Sequence, residues 1–214
     1  MKALRPFMLS LTVLLLTSCA SLQVGSEFQS GRQAMLRGND EAALAYFQSV
    51  AQKDPNYIYG TAYRQGILSY LGRTEYSTGK LPQARQTLER ALAANREEDV
   101  ARLYLGLTLV KAGDRALGVK EIEGAMRGMY DWIEYITEAH RFSFGQFWDP
   151  GHDLRSAIQT QLAMVSGREA DTPKLIAEAE WLGKRMEEEI DRARRDESND
   201  RSRDGDSPDS PGNN

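Results

Sequence analysis

Apolar side chains recur along most of this chain at intervals of three and four residues, the spacing that gathers them on one face of a helix. After an apolar run from Pro6 to Leu16, broken only by Ser10 and Thr12, the helical pattern fills three stretches, 24–57, 65–98 and 99–132. Past Ala125 it continues through Met126, Tyr130, Ile133 and Ile136, which predicts a helix lasting to about Arg141. Two amphipathic helices follow. One spans Asp153 to Ser166 with Leu154, Ile158, Leu162 and Val165 on one face; the other starts near Thr172 and carries Leu175, Ile176, Ala179, Leu182 and Met186. Asp171 or Thr172 is placed to N-cap the second, and Pro173 falls in its first turn, where a missing N–H costs nothing. Arg185 to Arg195 is mostly charge at helical spacing, the signature of a solvated helix end. From Asp196 to Asn214 no apolar side chain remains, so 196–214 is expected to be a disordered tail.

Within the three stretches one set of small residues repeats: a glycine, a second glycine seven residues on, then a small residue, a large apolar residue and a small or β-branched one. The copies are Gly31, Gly38, Ala43, Phe47, Val50; Gly72, Gly79, Ala84, Leu88, Ala91; and Gly106, Gly113, Gly118, Ile122, Ala125. The first glycine of each set is expected in the middle of a helix, admitting a second helix closely at a cost of roughly 1 kcal/mol in propensity. The second is expected to end that helix in the left-handed conformation of a tight turn. Phe47, Leu88 and Ile122 then fill the groove between the two helices.

These spacings resemble the tetratricopeptide repeat, a helix-turn-helix unit of about 34 residues. Leu71-Gly72 and Leu105-Gly106 match its Leu-Gly pair, and Asp54-Pro55 its closing proline. The early tryptophan of the family is missing from every copy, and Ala34, Glu75 and Leu109 stand where its next aromatic usually does. Copies two and three keep phase, whereas copy one is offset by an insert at 58–64, expected to lengthen the first helix of the second repeat by two turns. The resemblance implies an all-α fold: a short TPR-like α-solenoid of about three repeats, closed by the C-terminal helices of 133–195.

The N-terminal run has its own reading. Lys2 and Arg5 precede an apolar segment too short to span a bilayer, which marks a cleavable secretory signal over 1–18. It ends in Leu16-Thr17-Ser18-Cys19, similar to the lipobox of bacterial lipoproteins. That resemblance implies that Cys19 carries a diacylglyceryl group, that its new amino terminus is acylated, with palmitate among the chains, and that 19–23 forms a short linker. Two or three chains anchor a protein stably where one does not. Ala20, in place of the aspartate that retains such proteins in the inner membrane, implies the outer membrane with the domain facing the periplasm. Cys19 is the only cysteine, so no disulfide within the chain supports the fold.

Charge and chemistry narrow the function further. The whole chain has a net charge of −4, and without Lys2 and Arg5 the balance is 25 basic against 31 acidic residues, unlike the basic footprint of a nucleic-acid binder. The two histidines, His140 and His152, match no metalloprotease or zinc-finger spacing. No nucleophile elbow or phosphate loop occurs, so neither catalytic residues, a metal nor a cofactor is expected. Phe142, Phe144, Phe147 and Trp148, ahead of Asp149-Pro150-Gly151, read as a turn-terminated aromatic loop that either meets a partner or covers the apolar end of the array.

The expected function is therefore binding: a membrane-anchored adaptor holding a segment of an envelope protein, as in pilus, secretion or outer-membrane assembly. Groove candidates on the first helices are Gln33, Arg37, Tyr70, Arg73, Arg102 and Leu109, with Phe142, Phe144, Phe147 and Trp148 beside them. The alternative is a periplasmic small-molecule or lipid-binding accessory of a transport system, which requires a closed apolar cavity at Phe142 to Trp148. The identity of the partner and the oligomeric state stay open.

Overall fold

The computed structural model describes residues 22–165 and 171–205. The expected signal segment 1–18, Cys19 and residues 206–214 lie outside them. In chain order the elements are α1 (22–36), α2 (Asp40–Lys53), β1 (Ile58–Tyr59), β2 (Gln65–Gly66), α3 (Ile67–Ser77), α4 (Leu81–Ala94), α5 (Asp99–Lys111) and α6 (Arg115–Ala139). A 3₁₀ turn (Phe144–Phe147), α7 (Asp153–Val165) and α8 (Thr172–Gly205) complete it. The fold is all-α and built of TPR-like helix hairpins. Two compact units divide within α5, Met1–Ala101 and Arg102–Asn214.

The three expected hairpins are α1–α2, α3–α4 and α5–α6, and each turns in the same way. Gly38, Gly79 and Gly113 have φ of +74°, +75° and +97°, conformations that an L side chain resists. Around each, the residue after the glycine donates to a carbonyl five back and the glycine to one three back: Asn39 to Ala34 and Gly38 to Met35 in the first, and Lys80 to Glu75 and Gly79 to Tyr76 in the second. Asp114 to Leu109 and Gly113 to Val110 repeat it. This is the Schellman arrangement, which satisfies carbonyls that a helix end would otherwise strand. Asn39 and Asp114 then cap the following helices through Ala42 and Leu117 N–H.

The mid-helix glycines set how closely each pair packs. A Cβ on Gly31 would lie 2.7 Å from the Phe47 ring, and on Gly72 2.5 Å from Leu88. On Gly106 it would lie 2.7 Å from both the Gly118 carbonyl and Ile122. Ala43, Phe47, Ala84, Leu88, Ile122 and Ala125 are fully buried, as their places in the repeat require.

Four expectations fail. Residues 58–64 do not lengthen α3. With Gln65 and Gly66 they form a two-stranded antiparallel ribbon, Ile58 opposite Gly66 and Tyr59 opposite Gln65, whose turn includes Gly60 at φ +98°. Tyr57 accepts from Ile67 through its carbonyl, so the ribbon runs directly into α3. The expected linker at 19–23 ends sooner than predicted, since residues 22 and 23 are already helical. The stretch Arg185 to Arg195 is not a solvated end either: Met186, Glu187, Glu189, Ile190 and Ala193 are buried, and the tail expected to be disordered from Asp196 instead continues α8 to Gly205. Among the described residues no helix is long and apolar enough to cross a membrane.

Candidate partner-binding surfaces

In the first unit the ribbon meets α1 and α3 through a cluster of rings. The Phe28 ring lies 4.9 Å from those of Tyr57, Tyr59 and Tyr70, and the Tyr70 ring lies 5.4 Å from that of Phe47. Ring pairs at such distances add to the burial of their area. Several polar tips find partners inside the cluster: Arg32 Nη1 donates to the Tyr59 hydroxyl at 2.8 Å and stacks over its ring at 4.5 Å. Gln65 Nε2 donates to the Tyr70 hydroxyl at 3.1 Å, and Arg73 Nη1 to Gln65 Oε1 at 3.4 Å. Gly66 N–H donates to the buried Glu98 carboxylate at 3.1 Å, tying the ribbon to the turn before α5.

This packing corrects the groove candidates. Tyr70 and Arg73 belong to the core of the first unit, and Leu109 to that of the second. Gln33 and Arg37 are exposed and paired with each other, and Arg102 is half-buried beside Gly124. The shared first-helix register therefore leaves Gln33, Arg37 and Arg102 as reachable polar contacts. Arg32, one position from Gln33, is the charged cluster residue that sequence reasoning missed, together with Phe28, Tyr57, Tyr59 and Gln65. A basic residue four after Phe28 on one helix face was the only available sign of it.

In the second unit the aromatic turn divides by depth. Trp148 is buried and meets Trp132 edge to face at 4.6 Å. Phe144 and Phe147 are half-buried, with Phe144 stacked on His140 at 4.4 Å. Phe142 is 86% exposed beneath the Arg141 guanidinium, and Tyr135, 63% exposed, lies edge-on to His140. Trp148 thus anchors the turn, while Phe142, Phe144, Tyr135 and His140 form an aromatic ledge open to solvent.

A buried polar network holds that turn. Asp149, at φ +42°, accepts from Leu154 N–H at 2.8 Å, Arg155 N–H at 3.1 Å and Arg155 Nε at 2.9 Å. Its own N–H donates to Glu189 of α8 at 2.5 Å. Arg155 Nη1 reaches Glu134 at 2.6 Å, and Arg192 of α8 donates to the Phe147 carbonyl at 2.7 Å. Burial works against the charged Arg155 guanidinium, but hydrogen bonds and charge from Glu134 and Asp149 outweigh it and hold the proton more tightly than usual. The residues that fix the aromatic turn therefore come from the charged stretch of α8 expected to be solvated.

Beside Phe147 opens a cleft of about 280 Å³ lined by Gln146, Phe147, Pro150, Arg192, Asp196, Asn199 and Asp200. Five of these seven residues are charged or polar and the cleft is open, unlike the closed apolar cavity that a lipid or small-molecule carrier requires there. His140 packs against Phe144, and His152 occupies the turn at φ +60°. Among the described residues no group of three or more His, Cys, Asp or Glu is placed to hold a metal ion.

Comparison with known families agrees with the geometry. The sequence profile of the tetratricopeptide repeat matches residues 34–107, from the end of α1 through the middle of α5. Among curated proteins and among solved structures, nothing matches. Residues 34–107 thus resemble tetratricopeptide repeats, a module that usually serves protein–protein interaction.

Proposed function

We propose that the protein is a lipid-anchored adaptor of the bacterial cell envelope, which holds a segment of an envelope protein and performs no chemistry of its own. The observation that carries this reading is the repeated hairpin. Three helix pairs share one close-packing glycine and one Schellman turn, giving a scaffold whose first-helix side chains are positioned by backbone contact rather than by loops. Binding residues held on rigid elements lose little conformational entropy when a partner arrives. The aromatic ledge at Tyr135, Phe142 and Phe144 offers a second contact surface of the residue types that dominate interface energies. The lipobox at Cys19 supplies the anchor, and Ala20 the outer-membrane address.

The test is an affinity purification of the membrane-anchored protein from its own cells, followed by mass spectrometry, beside a Cys19→Ala control. Enrichment of one envelope complex that the control loses supports the adaptor. Co-purification of a small molecule or lipid with no protein overturns it in favour of a transport accessory.

A further inference from the structure

We infer that one end of the first unit, formed by the start of α1, the end of α2 and the β-ribbon, lies directly against the lipid surface, with Leu22 and Ile58 at headgroup depth. The inference rests on the proposed acylation of Cys19 and adds what that proposal leaves open, namely which face of the domain the membrane covers.

Tether length is the first argument. Helix α1 has begun by Leu22, three residues after Cys19. Even fully extended, three residues reach only about 10 Å. A lipid-bearing Cys19 therefore holds the first turn of α1 within about one headgroup layer of the bilayer, a layer roughly 5–10 Å deep on each side of the hydrocarbon core.

The second argument is what else lies at that end. Glu27, in the second turn of α1, pairs with Lys53 in the last turn of α2 and accepts from Ser49 at 3.0 Å. The Phe28 ring meets both Tyr57 and Tyr59 of the ribbon segment at 4.9 Å. The ribbon and the end of α2 are thus brought to the membrane together with α1.

The third argument is the chemistry of the exposed side chains there. Leu22 is 76% exposed, and Ile58 is 50% exposed on the ribbon face opposite the buried Tyr59. A leucine and an isoleucine standing in water beside a lipid tether are suited to the apolar side of the interface. Tyr57, half-buried against the Phe28 ring, is a residue type enriched at membrane–water interfaces. Arg64, exposed in the ribbon turn, suits anionic headgroups. The tether of about 10 Å brings Leu22 to the bilayer, and Phe28, which the ribbon packs against, lies only six residues or about 9 Å further along α1, which makes the bilayer the nearest surface for these side chains.

The opposite end of α1, at Arg37, lies 15 residues and so about 22 Å further along the helix axis, and provides the internal control. The full chain, with its leader, is produced in a two-membrane bacterium as Ile58→Cys or Arg37→Cys. It is labelled with an environment-sensitive thiol dye in vesicles of phosphatidylethanolamine and phosphatidylglycerol carrying a headgroup-level spin-labelled lipid. Acylation consumes the Cys19 thiol, so mass spectrometry must find one dye per chain. The expected result is a blue-shifted emission that the spin label quenches at position 58, and neither effect at position 37. One dye per chain with equal or no quenching at the two positions overturns the orientation while leaving the anchor intact. Two dyes per chain show Cys19 unacylated and overturn the anchor and the orientation together.

Discussion

A methyl group added at Gly72 would sit 2.5 Å from Leu88, a side chain with no exposed surface into which to retreat. Gly72→Ala should cost about 1–3 kcal/mol in urea denaturation, the range for overpacking a filled core. Gly25→Ala, where a Cβ meets nothing within 4 Å, should instead stabilise α1 by about 0.5–1 kcal/mol through helix propensity. Equal effects at the two sites would show that the glycine spacing does not set helix approach. The aromatic turn allows a similar contrast. Trp148→Ala should lose about 3–5 kcal/mol, as for buried aromatics in general. Phe142→Ala should stay within about 0.5 kcal/mol of the parent, because the ring is already in water. A Trp148→Ala protein that melts with the parent would remove its role as anchor.

Glu98 adds a pH dependence at the same scale. Burial pushes its carboxyl above the ordinary glutamate range, with the Gly66 N–H opposing the rise. The folded state then binds the proton more tightly than the unfolded chain. The stabilising contribution is present below the unfolded value and lost as pH rises through the folded one. Glu98→Gln retains an acceptor for Gly66 and removes the titration. Thermal melts from the acid side of the glutamate range to neutrality should therefore show a smaller loss of stability in the variant than in the parent. Parallel curves would exclude Glu98 as the responsive group.

At the scale of elements, the ribbon and α8 are the two segments whose neighbours differ from expectation. The ribbon's Tyr59 is drawn in by Phe28, Arg32 and Tyr70, residues on α1 and α3 that come together only after both helices pack. Helix α8 is drawn in by Asp149 and the Phe147 carbonyl. A chain ending after Arg185 loses Glu189 and Arg192 together with the buried Ile190 and Ala193. It should show a broad, low-temperature unfolding transition by circular dichroism. A chain ending after Arg201 retains all four and should melt with the parent. If the two truncations behave alike, the network around Asp149 does not support the second unit. The signal for this burial was present in the sequence, since Leu182, Met186, Ile190 and Ala193 continue one helical stripe. The charges between them concealed it.

For the molecule as a whole, the decisive property is where it resides. If Cys19 is the anchor, membrane fractionation should find the parent chain in the outer-membrane pellet and Cys19→Ala in the soluble periplasmic extract, with metabolic palmitate labelling lost in the variant. An unchanged distribution and retained label would remove the anchor, and with it the membrane-facing orientation of the ribbon. The net charge of −4 is unlike that of a nucleic-acid binder.

By itself the sequence determined the helices, the hairpins and their turns. The reason is that each depends on residues of a single hairpin: a left-handed residue at Gly38, Gly79 and Gly113, a missing side chain at Gly31, Gly72 and Gly106, and an apolar residue sixteen positions further on. Tertiary structure alone decided which faces of those helices meet water. Tyr70, Arg73 and Leu109 occupy positions that spacing assigns to a groove, yet they are buried, because the rotation of a helix about its axis is set by everything packed around it. The same holds for the buried carboxylates of Glu98, Asp149 and Glu189. In sequence they look solvated, and they stay inside the fold because backbone N–H groups, from distant elements for Glu98 and Glu189, and the nearby arginines Arg155 and Arg192 converge on them.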